Sequence, residues 1–204
     1  HAVVLSADGN TMAVSAYWEG SKATGINGDQ NDESIPQAGA VYVFTRTGTT
    51  WTQQAYIKAS NTGEAGTEER FGDGDQFGVS IALSDDGRTL AVGAITEDSN
   101  AAGINGDQAN NSATSAGAVY VFARTGNTWA QQAYVKAANP DPGDLFGYSV
   151  ALSADGNTMA VGSYDEGGSS RTINGPVDNM RRGAGAVYVF TRTGGTWAQQ
   201  AYIH

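Results

Sequence analysis

Asn27-Gly28-Asp29 and Asn105-Gly106-Asp107 stand 78 residues apart and place amide and carboxylate oxygens on either side of a glycine. Each lies in a long polar loop that opens with a glutamate, Glu19 in the first and Glu97 in the second. Oxygens alternating around a sharp bend suit a hard cation such as Ca2+, which takes about six to eight oxygen ligands. The candidate calcium ligands are therefore Glu19, Asn27, Asp29 and Asp32 in one loop and Glu97, Asn105, Asp107 and Asn111 in the other. Neighbouring carboxylates repel one another unless a cation or a proton offsets them. A third loop keeps Glu166 and Ile173-Asn174-Gly175 but continues with Pro176, so it should bind such an ion weakly or not at all. The same residues also have a plainer account. Ile26, Ile104 and Ile173 would plug the loops onto a scaffold while Asn and Asp cap their turns.

Other chemistry is sparse. His1 and His204 are the two histidines and both are terminal, which argues against a Ser-His-Asp arrangement or a three-histidine zinc site, and with no cysteine a thiolate site cannot be assembled. Glu97 with Asp98, and Asp165 with Glu166, leave acid hydrolysis of a polysaccharide as an alternative, although their repeated loop position favours structure or ligation. Arg171, Arg181 and Arg182 cluster in the third loop and fit either an anionic ligand or a solvated face. A segment between the first two copies carries Glu64, Glu68, Glu69, Asp73 and Asp75 against Arg70, with an extra Phe71-Gly72 pair. It reads as a second cation site at Gly72 to Asp75 or as a solvated acidic connector.

Composition narrows the partners. A net charge of −10 argues against nucleic acid, which needs a basic face. No apolar run approaches the roughly eighteen residues of a membrane-spanning helix. No signal peptide is visible, and the chain opens inside a repeat at His1 to Leu5, which reads as a piece of a longer array.

The elements that must position these loops follow from three copies of one unit. Val41 to Lys58 returns as Val119 to Lys136 and as Val187 to His204, with Trp51, Trp129 and Trp197 spaced 78 and 68 residues apart. Each copy holds a short small-residue strand, an Asp-Gly turn and a second apolar strand. The long loop, an aromatic β-branched strand, a Gly-containing turn and a Trp-bearing strand follow. In the last strand, simple alternation would put Trp197, Gln199, Ala201 and Ile203 on one face. Four antiparallel strands repeated at this period are the signature of β-propeller blades, with almost no helix. The expected organisation is blade 1 over 1–58, an acidic connector over 59–70, blade 2 over 71–136, a connector over 137–143 and blade 3 over 144–204.

Phe77-Gly78-x-Ser80-x-Ala82-Leu83-Ser84, followed by Ala91-Val-Gly-Ala94 and Gly117-Ala-Val-Tyr-Val-Phe122, resembles the FG-GAP repeat of integrin-α-type β-propellers, in the form found on bacterial surface and secreted proteins. The integrin-type calcium loop, Asp-x-Asn-x-Asp-Gly between the Phe-Gly and Gly-Ala strands, is replaced here by a tight Asp-Gly turn, so that metal site is not expected at those positions. The resemblance implies an extracellular or cell-surface, non-enzymatic binding or adhesion module with a protein or glycan ligand. A structural spacer and an accessory or catalytic propeller of a secreted hydrolase are the alternatives. Three blades are fewer than the roughly four to eight of a closed ring. A homo-oligomer, or the remainder of a larger propeller, is expected to cover the open blade faces.

Overall fold

The structure is a computed structural model and describes residues 1–63, 74–176, 178–181 and 183–204. The acidic run from Glu64 to Asp73, with the extra Phe71-Gly72 pair, and Arg182 lie outside the described residues. Among the described residues twelve strands form three four-stranded antiparallel sheets with neighbours in chain order, and none of these residues is helical. Blade 1 contains β1 (Val3–Leu5), β2 (Thr11–Ala16), β3 (Ala40–Thr47) and β4 (Thr50–Ile57). Blade 2 contains β5 (Ser80–Leu83), β6 (Thr89–Ala94), β7 (Ala118–Thr125) and β8 (Thr128–Val135). Blade 3 contains β9 (Phe146–Leu152), β10 (Thr158–Ser163), β11 (Ala186–Thr193) and β12 (Thr196–Ile203).

The first turn of each blade is built by its own side chains. Asp8 accepts bonds from Ser6 Oγ and the Asn10 amide while Gly9 takes a φ of 64°, and Asp86 and Asp155 repeat the device. These bonds to the ionised form pull the Asp8 carboxyl down to about 2. The turns also join blades. Ala7 N–H donates to Asp85 O and Asp85 N–H to Ala154 O.

Two cores lie between the sheets rather than within them. Strand alternation sends Tyr120 and Phe122 of β7 toward blade 1, and Val119 and Val121 toward blade 3. Phe77 and Phe146 sit at the heart of the two layers, each edge-on to a tyrosine and a phenylalanine of its own blade. A Cβ added at Gly39 or Gly117 would collide with the backbone of Phe77 or Phe146. The glycine before the aromatic strand of one copy is therefore the seat for the Phe-Gly pair of the next.

Simple alternation fails in the fourth strand. Register shifts opposite Val43/Phe44, Val121/Phe122 and Val189/Phe190 leave Gln54, Gln132 and Gln200 as bulge residues. The bulge reverses the facing, so Trp197 and Tyr202 are both buried on one face although their positions differ by an odd number. It also extrudes a glutamine toward the next blade. Gln54 Oε1 accepts Trp129 Nε1–H at 2.9 Å, and Gln132 Oε1 accepts Trp197 Nε1–H at 2.9 Å. Trp129 and Trp197 are each 4% exposed, whereas Trp51 on the outer flank of blade 1 is 37% exposed.

Candidate functional site

The three long loops leave their blades after the second strand and are fastened to the fourth. Asn27 holds a left-handed φ of 60° and exchanges bonds with Tyr56: its N–H donates to Tyr56 O, and its Oδ1 accepts the Tyr56 N–H at 3.0 Å. Asn105 with Tyr134 and Asn174 with Tyr202 repeat this pairing. Ile26 and Ile104 bridge to Ile57 and Val135, as plugging residues should, but Ile173 is 67% exposed. Asparagine is chosen because it tolerates the left-handed region while its amide imitates a strand's hydrogen bonds.

The expected calcium ligands are placed as follows. Asn27 and Asn105 lock the loops to β4 and β8. Asp29 and Asp107 each cap the amide two residues on, Asn31 and Ala109. Asp32 accepts from Ser34 and from the Lys22 amide, and its carboxyl is held well below the usual range by these bonds. In copy two that capping role falls to Asn110, which accepts from the Asn100 amide and from Ser112. Asn111 is exposed and stands one place away from the aligned position. Among the described residues no group of three or more His, Asp or Glu side chains converges as a metal site would.

Glu19 and Glu97 are turned inward. Lys58 Nζ lies 2.7 Å from Glu19 Oε2, and Tyr56 Oη donates to Glu19 Oε1. In copy two, Glu97 accepts Lys136 Nζ and Tyr134 Oη at 2.7 Å each, Asn61 Nδ2 at 3.0 Å and the Ser99 amide at 3.2 Å. Burial pushes the Lys136 ammonium below its usual value, and the Glu97 carboxylate opposes that shift. Four donors thus converge on the Glu97 carboxylate. Asp75, fully enclosed beside it, is raised well above the ordinary carboxylate range by burial and by the Glu97 charge.

Copy three departs from this pattern. His204 stands where Lys58 and Lys136 stand, and Glu166 turns to Asn139 Nδ2 and Tyr188 Oη. Burial and the Glu166 charge push Asp144 up to about 7, and burial raises Glu166 as well. The Tyr202 hydroxyl, whose counterparts bond Glu19 and Glu97, is buried and meets no hydrogen-bond partner among the described residues. The loop surface differs too: Arg171, Ile173, Met180 and Arg181 are exposed. Asp165 is half-buried on the flank of blade 3. Sequence reasoning missed Lys58 and Lys136, because a lysine ending a strand signals solvent. Their strict pairing with Glu19 and Glu97 at a separation of 39 residues was the available clue.

These features define a β-propeller-type repeat protein whose blades are joined by Phe-Gly, glycine and glutamine contacts. Residues 129–190 match the family model of the FG-GAP repeat. The match runs from β8 to β11, so the sequence repeat straddles the junction of blades 2 and 3. No curated protein matches the chain. Among solved structures, a suggested 6-phosphogluconolactonase from Bacteroides uniformis has 13% identity and a TM-score of 0.49, covering 98% of this chain and 38% of that one. A hypothetical selenium-binding protein from Sulfolobus tokodaii has 8% identity and a TM-score of 0.46, covering 94% and 37%. The chain spans less than two fifths of the length of either.

Proposed function

We propose that this propeller module is a non-enzymatic, extracellular binding or adhesion unit that presents its long loops to a protein or glycan ligand. One observation carries the reading. The three loops share one anchor, an asparagine bonded to the fourth strand, yet the third loop has a different outer surface. There Arg171, Ile173, Met180 and Arg181 face solvent, with Arg171 at the place of Thr24 and Ala102, and with Ile173 exposed where Ile26 and Ile104 bridge to the fourth strand. A fixed base carrying a varied tip is how scaffolds present recognition residues. Exposed large apolar side chains beside arginines are also the composition of contact surfaces.

The test is a glycan array and an immobilised cell-surface protein panel probed with the whole chain. Binding should fall when residues 168–184 are replaced by residues 98–116, which keep the anchor and lose the surface. Turnover of any bound polysaccharide, abolished by Asp165→Asn, would replace this reading with that of a secreted hydrolase.

A further inference from the structure

The trailing flank of blade 3 holds a cavity of about 480 Å³ lined by Tyr148, Gly162, Ala184, Gly185, Val187 and Ile203. We propose that this cavity seats an extended strand of aromatic-Gly-x-Ser sequence, the strand that opens another repeat of this type.

The argument is register. The same flank of blade 2 is built from Ser80, Gly93, Ala116, Gly117, Val119 and Val135, and it holds Phe146-Gly147. Ser80 Oγ donates to Gly147 O at 2.7 Å, and the Phe146 and Leu145 amides donate to Ala116 O and Ser115 O. On blade 1, Ala38 O and Gln37 O take the Phe77 and Gln76 amides in the same way. Blade 3 repeats the mould position by position as Ser149, Gly162, Ala184, Gly185, Val187 and Ile203. Val119 and Val135 are wholly buried under Phe146, whereas Val187 and Ile203 are 38% and 40% exposed. The bulge glutamine of this flank, Gln200, is exposed, while Gln54 and Gln132 each hold a tryptophan and an arginine of the next blade.

The occupant that the register favours is the Phe-Gly strand itself, which on blades 1 and 2 places its phenylalanine amide on Ala38 O or Ala116 O and its aromatic ring in the apolar layer. Light scattering distinguishes it from a second copy docked through the exposed Val3, Leu5 and Trp51.

The experiment uses the whole chain and a fluorescein-labelled peptide with the sequence of residues 144–153, followed by fluorescence anisotropy. Saturable binding is expected, weakened at least about tenfold when the peptide phenylalanine becomes alanine. Val187→Asp should abolish binding, and Leu5→Asp on the opposite flank should leave it unchanged, both variants melting as the parent does. Absent binding, equal binding of the alanine peptide, or binding that survives Val187→Asp would overturn the proposal. So would a dimer in light scattering that both Leu5→Asp and Val187→Asp disperse, because a second copy would then occupy the flank.

Discussion

Lys136 Nζ lies 2.7 Å from Glu97 Oε2 with both side chains 1% exposed, at the root of the loop that carries Asn105 and Asp107. A loop rich in polar residues is thus tied to its blade by a charge pair beneath it.

Breaking that pair leaves a lone buried charge, which costs about 3–5 kcal/mol, whereas removing both charges costs far less. Lys136→Met should therefore destabilise the fold by about that amount in urea titration, and Glu97→Gln with Lys136→Met should recover much of it. Equal stability of the single and double variants would contradict an ion pair.

Gln132→Ala removes the shared acceptor of Trp197 Nε1 and Arg192 Nη1. Leaving a buried donor unsatisfied costs about 1–3 kcal/mol. Gln200→Ala, the same residue type at the same bulge on an open flank, should change stability by less than about 0.5 kcal/mol. Thermal melts followed by tryptophan fluorescence compare the two.

The Asp144 carboxyl titrates near 7 in the folded protein, and at the ordinary carboxylate value near 3.8 when unfolded. The folded state binds the extra proton, so this group's contribution to stability is greatest below that unfolded value. It declines as pH rises toward 7. Asp144→Asn should flatten the fall in melting temperature between pH 4.5 and 7.5; an unaltered pH profile would place the raised titration elsewhere.

Asn105→Ala deletes the acceptor of the Tyr134 amide and the residue most tolerant of the loop's left-handed bend. A loss of about 1–3 kcal/mol is expected, the same in calcium and in excess chelator. A loss confined to calcium-containing buffer, with Asp107→Ala behaving alike, would show that an ion holds the loop.

Gly117→Ala should cost more than Gly185→Ala. Both positions have positive φ, at 80° and 76°, so the backbone strain is shared. Only at Gly117 does the new methyl meet the Phe146 backbone. Denaturation midpoints of the two variants isolate that steric cost.

The sequence by itself determined the repeat, the strand content and the Asp-Gly turns, because these rest on local chemistry repeated three times. Asp8, Asp86 and Asp155 need only the residues beside them to build their turns. It also marked Asn27 and Asn105 as special, though not what they bond. The tertiary structure alone decided which polar groups face solvent and which are buried in pairs. Glu97 and Lys136 are 39 residues apart in the chain and meet only because the fourth strand returns beside the loop root. The bulges at Gln54 and Gln132 were equally hidden, since a period of two carries no mark of a skipped residue until its partner strand fixes the register. Their partners Trp129 and Trp197 lie on the next blade, so their burial is a property of blade against blade.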